Sequence, residues 1–345
     1  MAKITRVLGT VATVAALVLS AGCTKSNDGT EGSGKDGGGL EKVSYLTGAS
    51  ILGREAFVYT AIEKGYFKEA GFEVEVLAGK GTAPNLGLLQ AGKVDFAAVD
   101  ITAALIEYGK TDSKFHDFTV VNAIQQRNLQ CIMALEGSGI NSPKDLAGKK
   151  IAYLPGGVAK ALFPAYAKLA QIDESTIKWV NIPLEQHPQN LAAGTVDAAT
   201  QFAVGKPGID RVAKGKKVTV LPYTDYLTDL YGVGIAVTKK AASEDPDRIR
   251  RFNEAVLKGL RDATDNPAEA GKIYAKYAKI QPEPVAMAEN KLMVPYVKSA
   301  AGGAAVGALD LQRVARNIAI LQGAGVIPAV FQPQDVVSVD YLPKS

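Results

Sequence analysis

The sequence predicts an α/β fold in two lobes, each a mainly parallel sheet flanked by helices, with a cleft between the lobes. Three observations predict it. Strand-like runs alternate with helical patterns over roughly two hundred residues, as parallel βαβ units require. About three hundred residues follow a flexible N-terminal part, more than one hydrophobic core usually serves. The segment "LQAGKVDFAAVD", Leu89 to Asp100, is echoed by "LAAGTVDAATQF", Leu191 to Phe202, displaced by 193 − 91 = 102 residues.

At the N-terminus, Lys3 and Arg6 precede an apolar run, Val7 to Leu19, that is too short to span a bilayer as a helix. Residues 1–22 therefore read as an export signal. "LSAGC", ending at Cys23, resembles the bacterial lipoprotein cleavage box, which implies lipid attachment at Cys23; cleavage to a free secreted protein is the alternative. Residues 23–40 carry no side chain large enough to pack until Leu40, so they read as a tether with a reach on the order of 20–25 Å.

"VSYLT" (Val43 to Thr47) is the first expected strand, followed by a helix around Phe57 to Phe67 and the period-two strand "FEVEVLA" from Phe72. A helix near Asn85 to Gln90 stops at Gly92, a C-cap position, before the strand "VDFAAV". The order repeats in the second half. Ser142 and Pro143 open a helical turn, and then come a strand from Lys150, a helix from about Val158 to Ala170, "IKWVNI", a helix near Gln189 to Ala193, and "VDAATQF". The echo thus marks the same helix-to-strand junction in each lobe.

Two extended stretches, Leu129 to Ile140 and Tyr231 to Lys240, are where the chain is expected to cross between lobes. Gly232 and Gly234 there serve either as hinge positions or as close-packing points. Residues 41–133 plus 236–345 form the first lobe and 134–235 the second. After Asp245 the pattern turns helical, with apolar Ile249, Phe252, Val256 and Leu260 on one face, and these helices are expected to clad the first lobe.

Composition excludes several function classes. The net charge of +4 is mild and the lysines are scattered, so nucleic-acid binding gains no support. The two histidines, His116 and His187, sit in unrelated contexts, so no metal site assembles at usual spacing. Cys131 has no disulfide partner once Cys23 carries lipid, and reads as a buried thiol. No Walker loop, nucleophile elbow or zinc-protease helix is present, and no cofactor or catalytic residue is called for.

In open α/β sheets, ligands bind beyond the carboxyl ends of parallel strands. Those ends carry the candidate site residues. Tyr45, Phe57, Phe202 and Tyr231 are candidates to stack on a planar ring, with core positions as the alternative for Tyr45 and Phe57. Asp100 either accepts from a ring amine or caps the helix that follows. For an oxyanion, the candidates are the amides of Gly156, Gly157 and Val158, Thr102, and a cation such as Arg54 or Lys160; Gln201 completes the set.

The run "FVYTAIEKGYFKEAGFEVEVLAGKGTAPNLGLLQAGKVDFAAVD" and the later "SPKDLAGKKIAYLPGG" resemble the ABC-importer solute-binding proteins of the nitrate, aliphatic-sulfonate, taurine and thiamine-pyrimidine-precursor family. The resemblance implies a type II periplasmic-binding-protein-like fold. It further implies a small-molecule ligand, an ABC permease and its ATPase as partners, a monomer, and a place on the outer face of the cytoplasmic membrane. Sulfonate-binding members usually carry a hydroxyl residue in the turn that here reads Gly-Gly, so a heteroaromatic ligand such as a thiamine precursor or related vitamin is favoured over a sulfonate, taurine or nitrate. A ligand sensor shares every feature with the transport role. An enzyme on the same scaffold is disfavoured because the Cys-rich segment and functional His of the pyrimidine-making relatives are missing.

Overall fold

The computed structural model describes residues 39–298 and 305–343, so the expected leader, Cys23 and nearly all of the tether lie outside the described residues. From β1 (Glu41–Leu46), a short 3₁₀ turn (Gly53–Glu55) leads to α1 (Ala56–Glu63) and α2 (Tyr66–Glu69). The single helix expected there is split because Gly65 adopts a left-handed φ of 78°, which glycine adopts without steric cost. Next come β2 (Phe72–Leu77), α3 (Thr82–Gln90), β3 (Phe96–Asp100), α4 (Ile101–Gly109) and β4 (Thr119–Ala123). The second lobe holds β5 (Gln130–Leu135), β6 (Lys150–Tyr153), α5 (Val158–Ala170), β7 (Lys178–Asn181), α6 (His187–Ala193), β8 (Ala198–Phe202), α7 (Lys206–Asp210) and β9 (Val218–Pro222). The chain returns through β10 (Val233–Val237) and ends in α8 (Lys239–Glu244), α9 (Pro246–Asp265), α10 (Pro267–Tyr277), α11 (Glu283–Val297) and α12 (Leu311–Gly323).

Two five-stranded sheets result, ordered β2-β1-β3-β10-β4 and β7-β6-β8-β5-β9. The orders correspond strand for strand. In each sheet the strand that has just crossed from the other lobe, β10 or β5, is inserted antiparallel among strands that share one direction. The sheets are therefore mainly parallel, with one reversed member each. Because β5 begins at Gln130 and β10 at Val233, the crossings fall a few residues before the expected boundaries at 133/134 and 235/236.

The echoed segments do the same work in each lobe. Asp95, just before β3, accepts from the Ser44 amide of β1 at 2.8 Å, and Asp197, just before β8, accepts from the Lys150 amide of β6 at 2.8 Å. Each carboxylate pins the start of a central strand to its parallel neighbour, where slanted ladders leave an amide without a backbone acceptor. The crossing glycines are close-packing points: a Cβ on Gly234 would lie 2.3 Å from the Asn122 carbonyl oxygen, and one on Gly232 2.6 Å from that of Arg127.

The first lobe's core is organised on α9. Its apolar stripe is buried, and Phe252 stacks on Phe96 with centroids 3.5 Å apart and planes 6° from parallel. Arg248 on the same helix bonds Glu41 and Asp95 at 2.6 and 2.9 Å, so it ties α9 to the sheet instead of lying solvated. No described helix is long and apolar enough to cross a membrane.

Candidate ligand-binding cleft

The carboxyl ends of β1, β3, β6 and β8 open on one cavity between the two sheets. Asn85 sets the first lobe's side of it: its Nδ2 donates to the carbonyls of Thr47 and Ala98 at 2.9 Å, and its Oδ1 accepts from the Lys80 amide at 3.0 Å. One buried amide thus holds together the loops after β1 and β2 and the end of β3. The walls are apolar or small at Ala49, Leu154, Val158, Ala159 and Val233, and polar at a few discrete points.

Of the sequence candidates, Arg54, Asp100, Gly157, Val158, Gln201 and Phe202 meet at this cavity. Arg54 is only 3% exposed, yet its Nε and Nη1 have no hydrogen-bond partner, and its Nη2 is 3.5 Å from the Ala49 carbonyl. Its guanidinium carbon stands 4.8 Å from the centroid of Phe202, which belongs to the other lobe. Asp100 lines the cavity and caps α4, its Oδ1 accepting from Ala103 N at 3.0 Å and its Oδ2 from Asn128 Nδ2 at 3.4 Å. Burial pushes its carboxyl up to about 7, against the pull of the capping bonds.

The others stand elsewhere. Tyr45 is fully buried against Phe252, on the sheet face that α9 covers; its hydroxyl points toward Glu55 without closing a hydrogen bond of normal geometry. Phe57 is core, because α1 turns that side onto α9. Tyr231 lies under the Arg313 guanidinium at 3.9 Å, and its carbonyl accepts from Thr102 Oγ1 at 2.8 Å and Asn128 Nδ2 at 3.2 Å. Thr102 and Tyr231 therefore lock the crossing behind Asp100 instead of facing a ligand. Gly156 sits at the lip, where an added Cβ would be 2.7 Å from Pro84 Cδ of the opposite lobe. Cys131 is buried, its thiol directed at the Gln201 carbonyl at 3.2 Å, and burial raises its pKa.

Thr82, in the Lys80 to Ala83 strand end expected from sequence to line the groove, does so; sequence reasoning missed Glu55, Gln130 and Thr200, which also line the cavity, and Glu289 behind it. Burial pushes Glu55 up to about 7, with the Arg54 charge opposing that rise. Glu289 Oε2 accepts from the Arg54 amide at 3.1 Å and Oε1 from Gln281 at 2.8 Å. Thr82 Oγ1 receives the Asp100 amide at 3.0 Å. None of these carries a local motif; only the position of Glu55 beside Arg54, after a strand end, signals it.

Paired sheets whose strand ends face one walled cavity define a two-lobe fold of the periplasmic-binding-protein type. The alkanesulfonate-binding protein SsuA from Xanthomonas axonopodis pv. citri, solved with MOPS bound, has this fold: its TM-score with the chain is 0.68 at 14% identity, covering 89% of this chain and 100% of that one. The chain belongs to the NMT1/THI5-like family, whose profile matches residues 54–270. The riboflavin-binding protein RibY of Chloroflexus aurantiacus is 23% identical over 308 residues, covering 83% of this chain and 81% of its own. The 4-amino-5-hydroxymethyl-2-methylpyrimidine phosphate synthase THI13 of Saccharomyces cerevisiae is 24% identical over 260 residues, covering 69% and 71%. The relatives thus include both a named binder and a named synthase.

Proposed function

We propose that the chain is the extracytoplasmic solute-binding component of an ABC importer and that its ligand is a small planar heteroaromatic carrying both hydrogen-bond donors and an acceptor. The observation that carries this is the polar pattern of the cavity. Arg54 presents unpartnered N–H groups, each costing about 1–3 kcal/mol while unmade, and Asp100 and Glu55 present acceptors on the same enclosed, mostly apolar surface. A ring with an acceptor edge and N–H or amine donors meets both needs, and Phe202 offers it an aromatic neighbour.

An oxyanion reading rests on Arg54 and the Gly157 amide at the start of α5. It is opposed by the buried carboxyl groups of Glu55 and Glu289, which interact with the Arg54 charge, and of Asp100, which lines the same cavity. Their ionised forms offset the one guanidinium that a sulfonate or nitrate would pair with.

The action is binding without turnover. The lining side chains include no Ser, Cys, Lys or His, and the hydroxyls of Thr82 and Thr200 are not hydrogen-bonded to an acid or base side chain among the described residues. A lipid anchor at Cys23 belongs to the same reading, and Cys23→Ala is expected to release the protein from membranes. The central test is a thermal-shift and calorimetric screen against pyrimidines, flavins, sulfonates, taurine and nitrate. Stabilisation by a ring compound supports the reading; stabilisation by the oxyanions alone overturns it.

A further inference from the structure

Arg54 is held from behind by a helix far along the chain. Ala286, Glu289 and Asn290 stand at the i, i+3 and i+4 spacing that brings side chains together on one face of α11. Ala286 seats the backbone of Gly53: a Cβ there would lie 2.6 Å from the Ala286 Cα, so the approach requires glycine. Asn290 Nδ2 donates to the Gly53 carbonyl at 2.8 Å, and Glu289 Oε2 accepts from the Arg54 amide at 3.1 Å. Gln281, just ahead of the helix, accepts from the Gly53 amide at 2.5 Å and donates to Glu289 Oε1 at 2.8 Å. Every polar backbone group from the Gly53 amide to the Arg54 amide is thus taken by this one corner of the molecule.

Glu289 is only 1% exposed, and a carboxylate buried beside an arginine would ordinarily close an ion pair with it. Here it does not. Both of its oxygens are engaged by the Arg54 amide and Gln281, while Nε and Nη1 of Arg54 have no partner. The carboxylate therefore holds the backbone and leaves the guanidinium's donors uncommitted at the cavity wall. Glutamine cannot do the same, because an amide accepts at one end only and would set an N–H against Gln281 or against the Arg54 amide.

We infer that Glu289, Gln281 and Asn290 are positioning residues for ligand recognition: they fix the backbone from which Arg54 projects and so keep its free N–H groups aimed at the cleft. This rests on Arg54 meeting the ligand, as proposed above, and not on the ligand being a ring.

The test is a double-mutant cycle on the purified protein with lumichrome, cytosine and taurine as probes, read by calorimetry and, where affinity is weak, by ligand-observed NMR. For each probe that binds, Glu289→Gln is expected to weaken binding about fivefold or more in the parent and less than about twofold in an Arg54→Ala background. A general loosening of the fold would cost the same factor in both backgrounds, so equal losses overturn the inference. So does an unchanged affinity of Glu289→Gln in the parent. Gln281→Leu, at a half-buried position, removes two of the same bonds and is expected to give the same pattern; it carries the test if Glu289→Gln does not fold. Binding of taurine alone overturns the ring reading and leaves this inference to be judged by the cycle run with taurine. If none of the three binds, Arg54 loses its assigned role and the inference falls with it.

Discussion

Arg54, just ahead of α1, and Phe202, the last residue of β8, meet face to face across the cleft, with the guanidinium carbon 4.8 Å from the ring centroid. The contact spans the two lobes, so the charge proposed to read the ligand is also placed to respond to closure. A planar guanidinium can stack on the ring and donate from two N–H groups at once, which an ammonium cannot do in the same geometry. Arg54→Lys is therefore expected to weaken binding of the best ring ligand at least tenfold by calorimetry, with a melting temperature of the unliganded protein within a few degrees of the parent. Unchanged affinity would remove Arg54 from the site.

Asp100 carries two duties that substitution can separate. Asparagine keeps the cap on α4 but loses the charge at the cavity; alanine loses both. Asp100→Asn is expected to lower affinity while nearly preserving unfolding free energy, and Asp100→Ala to cost about 1 kcal/mol of stability as well. Urea unfolding alongside calorimetry checks the split, and equal stability of the two variants contradicts the capping role.

The pH dependence follows from the same buried acids. Asp100 and Glu55 rise from ordinary carboxyl values of 3.8 and 4.5 to about 7 in the folded protein. Between about pH 4 and 7 the folded state therefore holds more protons than the unfolded one, and stability falls as pH rises through that window. The unliganded protein is expected to melt at a higher temperature at pH 5.5 than at pH 8, and Asp100→Asn to flatten part of the slope. A slope of the opposite sign would show that other groups dominate.

Two glycines set how close the lips come. A Cβ on Gly81 would approach the Gly156 carbonyl oxygen to 2.9 Å, and one on Gly156 would approach Pro84 Cδ to 2.7 Å. Gly156→Val is expected to hold the lobes apart, lowering affinity for every ligand by a similar factor. The measurement is small-angle scattering: a larger radius of gyration in the presence of ligand than the parent shows, with no increase meaning that the lip is not limiting.

Asp95 and Asp197 offer a paired test of the echo. Each receives a strand amide, but Asp95 also meets Ser44 Oγ and Arg248. Both alanine variants are expected to destabilise, by about 1–3 kcal/mol, and Asp95→Ala by the larger amount.

The echo was legible because it is local: a glycine stop, a Val-Asp start and a buried strand all fall within twelve residues. Asp100 and Phe202 could be placed at the cleft because strand ends can be read from sequence. Tyr45 and Phe57 could not be separated from the site in the same way. When both faces of a sheet are covered, alternation does not say which face a ring takes, and α9, which decides it, lies some two hundred residues away in the chain. Glu289 was invisible for the same reason, since it meets Arg54 across a separation of 235 residues.

The position of β10 has a consequence for how the molecule is made. β4 pairs with one described strand, β10, and otherwise bridges only Gly307 and Val337 further on, so residues 119–123 must wait for residues 233–237 to leave the ribosome, whereas every strand of the other sheet has been synthesised by residue 222. The half translated first is finished last. Until then the place between β3 and β4 is unfilled and the long-range pairing that slows folding is unmade, a condition that suits the export proposed for the chain.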